Sequence, residues 1–464
     1  MHPRNPYAEK EPDFAELAAF YPALKRFLTR NRSIDFQSHE AVCTLTQALL
    51  ARDFDLTITL SPDRLCPRVA NRLNYILWIQ DLLDSDLSRV PGAKASDEVL
   101  GLDIGTGASC IYPLLGCRLR KNWRFIASDI DSSAISSAAE TVERNNFHSR
   151  ISLIKTDPAG PFFDILDTSS SSPSSEAAPR FAFTMCNPPF YASITELTAL
   201  RSLKASAPHS ATVAYETELV TQGGELTFVL RMLHESIALS HKDSASRMTW
   251  YSSMFGKLDS VKGFVAELNN VGVANYVVAE FVQGPQTRRW AVAWRLGLYR
   301  ASPALTRPGF SCSENSAEAV SAALKSFLPP STGFIIPLPP PSDHPTSPAI
   351  VISTIRDFLE REYGASMHLS IPSASISPSI TGSCPQGNIW ARSFRRQKKR
   401  KRDDQPETQK DEDGDRLFMF RILGDEEDGV CRKVVVEWVY GAEGAVFESF
   451  CGMMKRLLSS ILLE

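Results

Sequence analysis

Between about residues 97 and 298, seven short apolar runs alternate with stretches long enough to be helices. The runs lie at 99–104, 125–128, 151–154, 181–186, 249–254, 276–282 and 290–296. Segments such as 132–145 and 224–239 have the length and spacing of crossover helices. Only a short turn around Gly284-Pro285 separates the last two runs, which reads as an antiparallel hairpin. Apolar strands alternating with helices predict an α/β domain whose mostly parallel sheet is covered on both faces.

The remaining regions differ in texture. Residues 1–92 read as a helical N-terminal module. Phe14, Leu17, Ala18 and Tyr21 recur at helical spacing, as do Leu73, Ile76, Leu77 and Ile79, and the alternation from Leu56 to Leu60 reads as a short strand. The sheet domain is expected over 93–300, with a serine-rich surface insertion at 169–175. A Pro-rich linker is expected over 301–348, where ten prolines fall between 303 and 348. A small α+β module is expected over 349–464. Its basic run at 395–402 passes directly into an acidic stretch, forming a charged loop at 395–415. That loop can be a solvated segment, a nuclear-import signal or a clamp for RNA phosphates.

Composition limits the function classes. At 43% hydrophobic and 22% charged, the chain resembles ordinary globular proteins and not a disordered or collagen-like one. No run approaches the roughly 20 apolar residues of a membrane span, and Met1-His2-Pro3-Arg4-Asn5-Pro6 lacks a signal-peptide core. The nine cysteines include no CxxC pair, so reduced thiols and no metal site are expected. With a net charge of −3, a nucleic-acid partner would have to bind a local basic surface.

Two motifs carry the chemistry. Gly101-Leu102-Asp103-Ile104-Gly105-Thr106-Gly107-Ala108-Ser109 ends the first run and opens a helix. A dinucleotide site would want GxGxxG with a helix N-terminus aimed at the pyrophosphate, but Cys110 stands at the third glycine position. Asp129 closes the second run, where a carboxylate can accept both hydroxyls of a ribose. A ligand with a ribose and no phosphates suits this pairing, and S-adenosylmethionine is one. Asp103 would then face its ammonium group, and Asp157, after the third run, would accept from its adenine amino group. The second motif, Asn187-Pro188-Pro189-Phe190, follows the fourth run. The Asn187 side-chain carbonyl and the Pro188 backbone carbonyl can each accept one hydrogen of an exocyclic amino group. The prolines hold these acceptors in place, and Phe190 offers a face for a flipped-out base. Base stacking without methylation, or methylation of a glutamine amide, is also open to this motif.

The chain resembles the U6 snRNA adenine-N6 methyltransferases (the methyltransferase-like 16 family) and their bacterial relatives that methylate 23S rRNA adenine. The likeness spans roughly residues 2–298. Its blocks are Pro12-Asp13-Phe14, Asn71-Arg72-Leu73-Asn74-Tyr75-Ile76, the stretch from Leu102 to Pro113, Cys186-Asn187-Pro188-Pro189-Phe190, Gly223-Gly224-Glu225-Leu226 and Arg289-Trp290-Ala291. The resemblance implies a class I S-adenosylmethionine-dependent methyltransferase fold, Rossmann-like with seven strands, and transfer of a methyl group to N6 of an adenosine in a structured RNA. It implies that Arg72, Gly105, Ser109 and Asp129 contact S-adenosylmethionine and that Asn187 to Phe190 hold the adenine. It makes His2, Arg4, Asn5 and Tyr7 an RNA-gripping arm, and Arg201, Lys204 and Arg289 RNA contacts. Read without the family, residues 2–7 are a disordered polar tail. Asp129 is shorter than the Glu common in animal members, and Pro6 stands where a basic residue is usual.

U6 snRNA is therefore the expected partner, with rRNA as an alternative substrate. An RNA-binding factor with a vestigial site is the reading from another class, against which the intact Gly105, Asp129 and Asn187–Phe190 argue. The basic run favours the nucleus over the cytoplasm.

Overall fold

The computed structural model describes residues 1–87, 89, 94, 97–167, 181–196, 198, 216–240, 248–283, 287–307, 323–338, 347–371, 378–391 and 417–461. The sequence features at 169–175, Arg201, Lys204, Gly284-Pro285 and 395–415 lie outside them. The chain divides into two compact units, Met1–Asp84 with Ala93–Leu296, and Ser85–Gly92 with Gly297–Glu464.

The seven runs of the first unit are strands, each within two residues of the expected bounds: β1 (Val99–Ile104), β2 (Trp123–Asp129), β3 (Ile151–Lys155), β4 (Phe181–Cys186), β5 (Met248–Phe255), β6 (Tyr276–Val282) and β7 (Arg288–Trp294). They form one sheet in the order β3-β2-β1-β4-β5-β7-β6. Strands β1 to β5 are parallel, and β7 runs antiparallel to both β5 and β6. Close packing within the sheet depends on Gly101, which pairs with Phe183 of β4. A Cβ on Gly101 would lie 2.4 Å from Phe183 Cζ. Gly101→Ala is therefore expected to cost about 1–3 kcal/mol through overpacking. Chemical denaturation checks this, and an unchanged midpoint would show that the ring can retreat.

The N-terminal helices are α1 (Phe14–Phe20), α2 (His39–Phe54) and α3 (Val69–Leu87). They correct the sequence reading of a separate module, because residues up to Asp84 belong to the same unit as the sheet. The cause is the composition of α3. Residues 73–80 are all buried, so this helix has no free polar face and must be covered all round. The expected strand near Leu56 is also corrected. Leu56 and Ile58 are buried as their alternation suggests. However, the backbone of Thr57 pairs with the Asn145 side chain, donating at 2.8 Å and accepting at 2.7 Å, so no ladder forms there.

The second unit is an antiparallel sheet of β8 (Gly333–Pro337), β9 (His368–Ser370), β10 (Ser379–Cys384), β11 (Phe418–Glu427) and β12 (Val430–Tyr440), ordered β8-β12-β11-β10-β9. Phe418, Phe420, Phe450 and Trp390 pack together in its core. The unit begins earlier than the expected module. Strand β8 lies inside the stretch read as linker, as an edge strand where its terminal Pro337 removes no interior ladder bond. Arg89 is also part of this unit, donating to the carbonyls of Arg300 (2.6 Å) and Trp438 (2.8 Å).

Candidate active site

Ile104 is paired with Ser128 on one side and Cys186 on the other. Gly105 and Asn187 therefore follow directly on β1 and β4 and Asp129 closes β2, at the carboxyl ends of three neighbouring strands roughly 5 Å apart. Strand β1 is where the order reverses, the place at which open α/β sheets bind ligands.

The glycine loop leads from β1 into α4 (Ile111–Leu119), as β2 leads on into α5 (Ser132–Arg144). The Gly105 and Thr106 amides both donate to the Ser128 carbonyl at 2.9 Å. Gly105 (φ +73°) and Gly107 (φ +65°) take the left-handed conformation that glycine favours. A Cβ at either position would meet no atom within 4 Å, so the loop borders open space that a ligand can enter. Asp129 is built into this turn, its carboxylate accepting from the Gly107 amide at 2.8 Å and the Asp131 amide at 2.9 Å.

Asp103 is fully buried, and neither of its carboxylate oxygens has a hydrogen-bond partner. Burial pushes its carboxyl up to about 7 against the pull of the Thr106 side chain and the Arg72 guanidinium, and the nearby Asp129 carboxylate adds to the rise. A buried acceptor without a donor is costly in a native structure. It fits a site whose ligand brings an ammonium group. Ser109 is half-buried on the same loop. Arg72 of α3 donates to the Tyr112 hydroxyl at 2.7 Å. Asp157 is exposed beyond β3 and accepts from the Ala159 amide at 2.9 Å, capping a local turn. With its orphaned carboxylate, its open glycine loop and a carboxylate on the next strand, this cradle fits S-adenosylmethionine.

The Asn187–Phe190 tetrad leaves β4 with Asn187 half-buried and Pro188 buried. A buried network unseen in the sequence steadies the strand end. The Tyr75 hydroxyl meets Ser252 Oγ at 2.8 Å and accepts from the Cys186 amide at 3.3 Å. Ser252 in turn donates to the Thr184 carbonyl at 2.6 Å. The only signal for this role in the sequence is the place of Tyr75 among the apolar residues Leu73, Ile76 and Leu77. The Arg289 guanidinium stands 5.3 Å from the Phe190 ring centroid, and burial lowers its pKa.

A sequence profile described as RNA methyltransferase (Methyltransf_10) matches residues 1–297. The chain belongs to this RNA methyltransferase family. It is 40% identical over 303 residues to the RNA N(6)-adenosine-methyltransferase METTL16 of Mus musculus, covering 63% of this chain and 51% of that protein. It is 36% identical over 332 residues to the U6 small nuclear RNA (adenine-(43)-N(6))-methyltransferase of Caenorhabditis elegans, covering 67% and 66%. The chain thus spans about half the length of the mouse relative. Among solved structures, the hMettl16 catalytic domain in complex with MAT2A 3'UTR hairpin 1 superposes with a TM-score of 0.54 at 38% identity, covering 64% of this chain and 95% of that one.

In this member of the RNA methyltransferase family the N-terminal arm is ordered, contrary to the polar tail read without the family. His2 Nε2 lies 2.8 Å from Asp81, and Asn5 donates to Asn74 Oδ1 at 2.7 Å and to the Ala70 carbonyl at 2.8 Å. The Tyr7 hydroxyl donates to Asp53 at 2.5 Å, and Arg4 reaches Gln80, Asp81 and the Leu77 carbonyl. The side chains of His2, Asn5 and Tyr7 are thus engaged within the protein. Arg4 keeps 44% side-chain exposure and remains open to solvent. Among the described residues no group of His, Cys, Asp or Glu could hold a metal ion, and no helix is long and apolar enough to cross a membrane.

Proposed function

We propose that this protein transfers a methyl group from S-adenosylmethionine to N6 of an adenosine in a structured RNA, U6 snRNA above others. The observation that carries this reading is the register of β1 against β4, which sets the amino-group acceptors of Asn187 and Pro188 beside the Gly105–Gly107 cradle. The relatives named above support the same substrate class.

When bound, S-adenosylmethionine supplies a methyl group on a positively charged sulfur. Asp103 receives the ammonium and Asp129 the ribose hydroxyls, which fixes where that methyl points. The carbonyls of Asn187 and Pro188 accept the two hydrogens of the adenine amino group, keeping its lone pair out of the ring and aimed at the methyl. Phe190 stacks on the base, with Arg289 beside the ring to draw in the anionic backbone. Bound S-adenosylmethionine would supply its methyl to the nitrogen so held by Asn187 and Pro188, and the surplus amino proton would pass to solvent.

Incubating purified protein with S-adenosylmethionine and transcribed U6 RNA, followed by nucleoside mass spectrometry, tests the proposal. N6-methyladenosine is expected. If the cofactor raises the melting temperature but no RNA is methylated, total RNA included, the methyltransferase reading falls and the vestigial-site reading takes its place. Asp129→Ala is expected to weaken cofactor binding roughly 10- to 100-fold, since it removes charge-assisted hydrogen bonds. Calorimetry reads this directly, and an unchanged Kd would take the ribose away from Asp129. Nuclear residence is part of the proposal and rests on the basic run at 395–402. Changing Lys398, Lys399 and Lys401 to Ala in a fluorescently tagged chain should shift it to the cytoplasm.

A further inference from the structure

The Gly223-Gly224-Glu225 turn opens α6 (Gly224–Ser240), yet its acidic side chain faces inward. Glu225 is 1% exposed. Its carboxylate accepts from the Gly256 amide at 2.6 Å and from the Lys257 amide at 2.9 Å. These amides lead from β5 into α7 (Leu258–Asn270), whose N-cap residue Lys257 makes no side-chain cap of its own. The Glu225 carboxylate therefore satisfies donors that the start of α7 leaves open.

What rests on this turn is the substrate loop. A Cβ on Gly256 would lie 3.0 Å from Cγ and Cδ1 of Phe190, so the glycine backbone is the floor against which that ring sits. Lys257 Nζ pairs with Glu196 and stands 5.5 Å from the Tyr191 ring centroid. Glu196 in turn accepts from the Ala192 amide at 2.7 Å. On its other side, the same glycine turn holds the loop through the Thr221 amide, which donates to the Tyr191 carbonyl at 2.9 Å. Residues 190–192 are thus gripped from two directions, and Glu225 is the buried group joining the grips.

We propose that Glu225 is a positioning residue for methyl transfer, holding the Gly256–Lys257 turn so that Phe190 meets the target base at the productive height. This rests on the reading of Asn187–Phe190 as the base clamp. Glu225→Gln keeps the volume but turns an amide donor toward one of the two backbone amides, which loosens the floor under Phe190. Gly256→Ala reaches the ring from the opposite direction, its Cβ pressing on Phe190 at 3.0 Å and on Glu225 Oε2 at 3.2 Å, so it crowds the same contact from the backbone side.

The test uses the full chain. Each variant is expected to lower the single-turnover methylation rate roughly 10- to 100-fold, the scale of a misplaced reacting group. Cofactor and RNA dissociation constants should stay within about threefold, a split that a general loss of folded protein would not produce. In a Phe190→Ala background, Glu225→Gln should cost little more, because both changes act through one ring. A fully additive loss would overturn the proposal. A 4-fluorophenylalanine placed at position 190 gives a readout that needs no substrate. Its fluorine resonance should shift or broaden in Glu225→Gln and in Gly256→Ala. An unchanged resonance in the folded variants overturns the positioning role whatever the RNA result. Failure of the wild type to methylate any RNA, with the resonance shifted as expected, overturns only the functional reading.

Discussion

Replacing Asn187 with Ala is expected to lower methyl transfer at least about 100- to 1000-fold, the range seen when one preorganised polar contact to a reacting group is removed. Cofactor binding should barely change, because the cradle of Asp103, Gly105 and Asp129 belongs to β1, β2 and the loop between β1 and α4, whereas Asn187 follows β4. RNA affinity should also persist, since backbone phosphates and not one amide dominate it. The prediction is sharp because the peptide geometry around Asn187 is maintained independently. The Tyr75, Ser252 and Thr184 network holds the end of β4 without using the Asn187 side chain. A truncated side chain therefore removes an acceptor and leaves the loop where it was. A variant that binds cofactor and RNA and retains near wild-type turnover would show that the Pro188 carbonyl suffices alone.

How far the sequence foretells this site follows from the range of the forces involved. Strand–helix alternation is a local pattern, and all seven strands expected between 97 and 298 are present. Gly105, Asp129 and Asn187 are equally legible, because they follow strand ends and a parallel sheet brings those ends together. The grip on these residues is not legible. Tyr75 is 177 positions from Ser252, and Glu225 is 31 from Gly256, so nothing in the local pattern announces either contact. A glutamate opening an apolar helix reads as a dipole-favoured surface residue. Only the fold shows it turned inward. The order of the N-terminal arm is hidden for a related reason. His2, Asn5 and Tyr7 look like a polar tail until α3, buried on every side, is seen to need polar cover for Asn74 and Gln80. Prolines dominate 301–348 and read as a linker, while the five residues of β8 need only an edge to pair with.

Asp103 should make cofactor binding pH-dependent in a range where few carboxylates titrate. Its native value is about 7, against roughly 3.9 for an unfolded aspartate. Between these values the native state holds one proton more than the unfolded state, so rising pH removes stability from about pH 4 until about pH 7, with no further change above. The groups facing it do not blur this window. Arg72 from α3 draws the Asp103 carboxyl down against burial, while Cys110, Tyr112 and Cys186 are pushed up by burial and stay neutral. The remaining neighbour, Asp129, stands at the end of β2. An ammonium ligand selects the ionised carboxylate, so the Kd for S-adenosylmethionine should fall about tenfold between pH 5.5 and pH 7, where the ligand's own amino group remains protonated. Asp103→Asn should flatten that dependence and raise the Kd at pH 7 roughly 10-fold or more. At pH 8 the same variant should melt at or above the unliganded wild type, because it no longer buries an unpaired charge, yet gain less from added cofactor. Calorimetry across pH and paired melting curves separate these effects. A wild-type Kd that is flat from pH 5.5 to 7 would mean that the ammonium binds elsewhere, and the orphaned carboxylate would need another partner.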